Sequence, residues 1–525
     1  MVQHQRRWRI RRLAAATAVG VMAMAGCSSI DAPADDDADD TAAEGEPQTG
    51  GTLTYLQAGD VTTFDPAMLP QVNYAMLPQL FDTLVSLDAA LEPQPELAES
   101  WEFNDDRSQL TLRLREGVVF HDGTPFTAQS VAFTLDHYRD PEVGALIGPL
   151  LAAISEVEVV DDTTVVLHFS AEPVSIFDAL DLMFVIPEGD RDRIATEPIG
   201  TGPFQLESRQ PGVGLTLVRN EDYWKDGLPH LDQIEIVAAR DQQAAIVQLE
   251  SGAGDILLRP QYSDLGRLDD QDGISTRVLD ISPNMLSLHV NVATPALADA
   301  RVRKAISLAI NRERIAETVL AGTVEPTCLP WSEGSPAYNQ EQVRDACAYD
   351  PAEAERLLAE AGFDGSTELS IVVQSGVEPA YGAAAEIIAE DLRQIGVTVA
   401  IEPEEEAEAA RRLDERDFDL YSKGYGRANR DPVTALRSTA AWRPDDGVTN
   451  YASPEYTDLI DQATAETDPE ARQEIFEQLN QLILDESFML TITSLPTTFA
   501  YADHVRGLTT NLEGMPLLDE AWISE

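Results

Sequence analysis

The sequence predicts an α/β fold. Short β-branched alternating segments that read as strands are interleaved with segments that carry helix start and stop signals. In the second half the two kinds follow one another closely enough to form β-α-β units, which imply mostly parallel pairing. With 525 residues, 43 % of them hydrophobic, the chain is long enough for about three or four domain-sized units and has an ordinary globular composition.

Taken in order, GTLTYLQ (51–57) alternates and is β-branched, so it reads as the first strand; 83–88, 109–115 and 163–170 read likewise. After the turn HDGTPF, Thr127 is placed to cap the helix AQSVAFTLDHYR. Residues 215–220 and 234–239 read as strands, and RDQQAAIVQLESG as a helix stopping at Gly252. Farther on, 298–310 carries Ala305, Ile306, Ala309 and Ile310 at helical spacing. Asp350-Pro351-Ala352-Glu353 is a helix start with a cap, Pro in the first position and Glu in the third. A strand over 369–375, a helix over 383–396 ending in Gly, and a strand VTVAIEP follow; Ser453-Pro454 and Asp468-Pro469 start two more helices. The acid-rich run at 402–408 reads as a solvated face.

The N-terminus reads as a targeting segment. Arg6, Arg7, Arg9, Arg11 and Arg12 precede the small-residue apolar stretch 13–25, too short for a span of ~20 residues, so 1–26 is a signal peptide. It ends Met24-Ala25-Gly26-Cys27, which resembles a bacterial lipobox and implies lipidation of Cys27 and a membrane anchor. Residues 27–50 are acidic and poor in large apolar groups, the composition of a disordered tether. Over the whole chain 92 acids face 36 bases, a net charge of −56. Removing 1–26 leaves 31 bases against 92 acids, a mature charge of −61. That balance excludes nucleic acid as a partner, and suits a salt-rich surrounding that screens self-repulsion. The two remaining cysteines, Cys328 and Cys347, bracket a Pro/Gly/Ser-containing loop and read as a disulfide outside the cytoplasm, with two separate thiols as the alternative.

Catalytic and cofactor signatures are missing from the sequence. No Gly-Lys pair occurs, so no phosphate loop; there is no G-x-S-x-G and no H-E-x-x-H. The seven histidines show no metal spacing. The expectation is a protein that is not an enzyme and has no cofactor and no metal.

Residues 80–135 (LFDTLVSLDAALEPQPELAESWEFNDDRSQLTLRLREGVVFHDGTPFTAQSVAFTL), 198–208 (PIGTGPFQLES), 218–236, 249–256, 299–315, 349–363 and 418–426 (FDLYSKGYG) closely resemble the extracellular solute-binding proteins of ABC importers, family 5: the oligopeptide-, dipeptide- and nickel-type binding proteins. The resemblance runs in order through nearly the whole mature chain. It implies a type II periplasmic-binding-protein fold of two lobes joined by a hinge, with an extra subdomain inserted in lobe I. Lobe I is then 51–84 with 186–280 and 496–525, the inserted subdomain 85–185, and lobe II 281–495. It further implies a monomer on the extracytoplasmic face of the membrane. Such a protein captures a small solute or peptide between its lobes and delivers it to a permease and ATPase complex.

The loop GYGRANRDP (424–432) is where ligand enters the reading. In peptide-binding members an Asp lies four residues before its Pro and pairs with the peptide's amino terminus; here that residue is Ala428. Tyr425 replaces the usual Trp, and Arg427, Asn429, Arg430 and Asp431 surround the altered position. The resemblance puts this loop, and the segment around Asn73 and Tyr74, at the cleft. The two arginines suit a carboxylate or phosphate; alternatively they pair with local acids such as Asp431. A peptide is the expected ligand, with an opine, an oligosaccharide or a metal chelate as the alternative.

Overall fold

In a computed structural model of the protein the described residues are 46–524, apart from 70–72, 172, 174, 190, 280–281 and 376–377. The signal peptide, Cys27 and nearly all of the tether lie outside them. The alternating opening segment is the strand Thr52–Ala58, with Leu53 and Tyr55 fully buried on one face and Leu56 on the other. It sits in the middle of a seven-stranded sheet, paired in parallel with Gln233–Ala239 on one side and Ile256–Leu258 on the other. Gly214–Arg219 and Phe204–Gln210 extend the first side, and Thr498–Ala502 and Ile274–Val278 the second, all antiparallel.

The second large sheet has five strands in the order Val399–Glu404, Leu369–Gln374, Leu420–Tyr425, Asn284–Val290, Met489–Leu495. The first three pair in parallel and the last two antiparallel. The expectation of mostly parallel pairing is therefore corrected: each large sheet is mixed. The reason is chain order. The strands Asn284–Val290 and Met489–Leu495 come from opposite ends of this half of the chain, so no β-α-β crossover unit fixes their direction. A third, four-stranded antiparallel sheet is built from Ala98–Phe103, Gln109–Leu114, Thr164–Phe169 and Ile154–Asp161.

The helix signals are realised locally. Ala128–Arg139 starts after Thr127, whose backbone N–H donates to Ser130 Oγ. Asp350 accepts from the Glu353 amide, and the helix Pro351–Ala361 stops at Gly362 in the left-handed region. Pro454–Ala465 and Pro469–Glu486 begin on Ser453 and Asp468. Near 383–396 the helix is longer than read, Pro379–Gln394, because Pro379 fills its first position behind Glu378. Cys328 and Cys347 are joined, with their Cα atoms 5.3 Å apart. Among the described residues no helix is long and apolar enough to cross a membrane.

Candidate functional site

The strand Leu420–Tyr425 occupies the centre of the five-stranded sheet, and the loop 426–431 leaves its carboxyl end. That end is where open α/β sheets present ligands. Gly424 has no room for a side chain: a Cβ there would come within 2.6 Å of the Tyr381 hydroxyl and 3.0 Å of the Met285 carbonyl. Tyr425 is held at both ends. Its hydroxyl donates to the Pro330 carbonyl at 2.7 Å and lies 3.1 Å from Thr491 Oγ1, and its ring packs edge-on against Trp442. Arg427 has φ +65°, a region that non-glycine residues enter rarely and that recurs at functional sites.

The remaining loop residues go to different partners. Ala428 is fully buried; its N–H donates to Pro283 O and its carbonyl accepts from Ser332 N. Asn429 Nδ2 donates to Leu512 O at 2.8 Å. Arg430, with 0 % exposure, donates from each of its three nitrogens to a carboxylate: Asp178 at 3.3 Å, Asp181 at 2.5 Å and Glu513 at 2.9 Å. Asp178 and Asp181 lie on the helix Ile176–Leu182, and Asp178 also accepts from Thr434 Oγ1. Asp431 caps the helix Pro432–Ser438 and pairs with Arg472. Arg430 thus has acidic partners, but they lie 83 to 252 residues away in the chain, and Asp431 is not among them.

Burial and charge shape these groups. Burial pushes the Asp178 carboxyl up to about 7, opposed by Arg430 and reinforced by Asp431; burial also raises Asp181, against the pull of Arg430. Asn73 is fully buried, with Nδ2 donating to Thr63 O and Oδ1 unpartnered among the described residues. Tyr74 lies under the Arg259 guanidinium, 5.8 Å from its ring centroid. Its phenol is raised to about 12 by burial and then by Glu513, and is drawn back by Arg259, Arg427 and Arg430. The segment 73–74 and the loop 424–431 therefore share one electrostatic neighbourhood.

A cavity of about 400 Å³ opens beside this loop. One wall is Gly144, Ala145, Leu146 and Pro149; the other includes His289, Lys423 to Arg427, and Ser438 to Ala441 with Arg443. Sequence reasoning missed His289, Lys423 and Arg443. Lys423 and Arg443 flank the loop it did single out, but a lone His in an apolar strand gives no such signal. Burial, and then the charge of Lys423, hold the His289 imidazole neutral down to about 3. A second cavity of about 310 Å³ lies between the segment 120–130 and the segment 187–199 and contains none of the loop residues 424–431, nor Asn73 or Tyr74. Among the described residues no group of three or more His, Cys, Asp or Glu is placed to hold a metal ion.

Mixed sheets, with a ligand-sized cavity at the carboxyl end of a central strand, are features of a solute-binding fold. The model of the bacterial extracellular solute-binding proteins, family 5, matches residues 92–447. The chain belongs to that family. It is 26 % identical over 494 residues to the probable ABC transporter periplasmic-binding protein SapA of Escherichia coli K12, covering 87 % of this chain and 89 % of that one. To the dipeptide-binding protein of the same organism it is 26 % identical over 486 residues, covering 85 % and 89 %. Among solved structures, the binding protein AgaA of A. tumefaciens R10 with agropinic acid superposes with a TM-score of 0.81 at 23 % identity, over 90 % of this chain and 99 % of that one. The oligopeptide-binding protein AppA of Bacillus subtilis with a nonapeptide gives 0.80 at 22 %, over 91 % and 100 %. At these identities the structural likeness is one of fold. The family and the fold are those of extracytoplasmic transport-binding proteins that work with ABC permeases.

Proposed function

We propose that this chain is the substrate-binding lipoprotein of an ABC importer. It captures a small solute, a short peptide, in the cleft between lobe I (51–84, 186–280 and 496–525, with the insert 85–185) and lobe II (281–495), and hands it to the permease and ATPase. The observation that carries this reading is the cavity whose walls come from two distant stretches, 144–149 and 289–448. A solute touching both walls favours the state in which they are close, so binding and closure are one equilibrium. Arg430, in the stretch assigned to lobe II, already reaches Asp178 and Asp181 of the insert and Glu513 of the stretch assigned to lobe I, which supports its role as a closure contact. Relatives whose names include dipeptide binding support the peptide class; the neighbour holding agropinic acid keeps a non-peptide carboxylate as the second reading.

Mass spectrometry of the full-length protein purified from native membranes tests the proposal in one measurement. The expected result is a co-purifying peptide released on denaturation, and a mature N-terminus beginning at acylated Cys27. An unmodified N-terminus removes the lipoprotein, and a co-purified solute with no peptide bond removes the peptide.

A further inference from the structure

Within the site proposed above, Arg427 stands apart from its neighbours. It is 5 % exposed, its Nε is buried without a partner, and its side chain makes no hydrogen bond or ion pair among the described residues. Leaving a guanidinium buried and uncompensated costs several kcal/mol, and Arg430, three residues on, shows that this chain can supply carboxylates to a buried arginine. At Arg427 it supplies none among the described residues. The cavity that Arg427 lines repeats the pattern. In a protein with 92 acids and 36 bases, its lining holds Lys423, Arg427 and Arg443 and not one Asp or Glu. Lys423 makes no ion pair among the described residues, and burial lowers its ammonium below the usual range, with Asp414 and Glu406 opposing. Arg443 pairs with Asp446 through one terminal nitrogen, but its Nε is unpartnered among the described residues. Both ring nitrogens of His289 are likewise buried and unpartnered among the described residues.

We infer that the solute taken by this cavity is a net anion with at least two carboxylates, gripped by Arg427 together with Lys423 and Arg443, and that a free ammonium group on the solute is not recognised there. The inference rests on the cleft reading given above. The counter-charge missing from Arg427 arrives with the solute. In a site shielded from water a guanidinium–carboxylate contact is stronger than at a surface, and the neutral imidazole of His289 has one N–H to donate. A zwitterionic peptide with no acidic side chain brings one carboxylate and an ammonium that finds no lining carboxylate; solutes with two carboxylates bring the complementary charge.

Calorimetry on the full-length protein in detergent, cleared of bound solute by partial unfolding and refolding, tests this with Ala-Ala, Glu-Glu, N-acetyl-Glu-Glu and citrate. Glu-Glu and N-acetyl-Glu-Glu are expected to bind alike and about 10-fold or more tighter than Ala-Ala. Arg427→Ala should lose about 10-fold or more of the acidic peptides' affinity, while the Tm of the unliganded protein stays level or rises, because an uncompensated buried charge is removed. A structural arginine would lower that Tm, and Arg427→Lys should restore part of the affinity. Equal binding of Ala-Ala and Glu-Glu overturns the anion inference and leaves the peptide reading standing. Binding of citrate with no binding of any peptide keeps the anion and removes the peptide. Undiminished affinity in Arg427→Ala, or no binding of any acidic probe, overturns the inference.

Discussion

Two arginines on one loop, three residues apart, have opposite environments. Arg430 is enclosed by Asp178, Asp181 and Glu513; full ionisation would leave two surplus negative charges among buried side chains. Burial accordingly raises Asp178 to about 7. If opening the cleft exposes Asp178, its pKa returns toward 3.8, the value of a free Asp side chain. The closed form then binds the additional proton. Closure is therefore favoured as the pH falls from about 7 toward the ordinary carboxylate range and is weakened as the pH rises through about 7. Small-angle scattering of the unliganded protein should show a smaller radius of gyration at about pH 5.5 than at about pH 8.5. In Arg430→Met the radius should be larger at both, because the carboxylates lose the cation that holds them. A radius independent of pH and of Arg430 would exclude the network as a closure contact.

Elements far from the cleft hold the site in shape. The loop closed by Cys328 and Cys347 supplies the Pro330 carbonyl to the Tyr425 hydroxyl and the Ser332 amide to the Ala428 carbonyl. Within it Trp331 is fully buried, stacks on Trp442 at 6.3 Å and donates to Asn480 Oδ1. Replacing both cysteines by Ser should cost about 3 kcal/mol, the chain-entropy value for a loop of this size, read as a lower denaturant midpoint. It should also weaken binding of the solute, because Tyr425 and Ala428 lose a fixed backing. A double variant with the parent midpoint would show that the loop is ordered by Trp331 alone.

At the scale of the whole molecule, charge sets the conditions in which the fold works. Most of the ion pairs on the surface are made by arginines with neighbouring acids, such as Arg356 with Glu353 and Glu360 or Arg411 with Glu408 and Glu415. Exposed pairs of this kind contribute little each, whereas the unpaired acids repel one another through the full net charge of −56. Screening removes more repulsion than attraction, so the unfolding midpoint should rise between low salt and about 1 M KCl, where the Debye length is near 3 Å. A midpoint that falls or stays level over that range would mean that the surface pairs outweigh the repulsion.

The α/β class, the helix starts at Thr127, Asp350, Ser453 and Asp468, and the family were legible before folding, because each depends on local rules or on residues read in order. The sequence also brought out the loop 424–432, whose composition is unusual in so acidic a chain. What that loop does was decided by tertiary structure. Arg427 and Arg430 are the same residue type in the same turn, and nothing local distinguishes one ringed by carboxylates from one with no partner among the described residues. The difference is made by Asp178, Asp181 and Glu513, which are brought in from 83 to 252 residues away. The pairing of the sheets was likewise beyond local reading, since strand direction depends on which distant segments meet. Charge compensation and strand pairing are long-range properties of packing, so they become fixed only when the chain has folded.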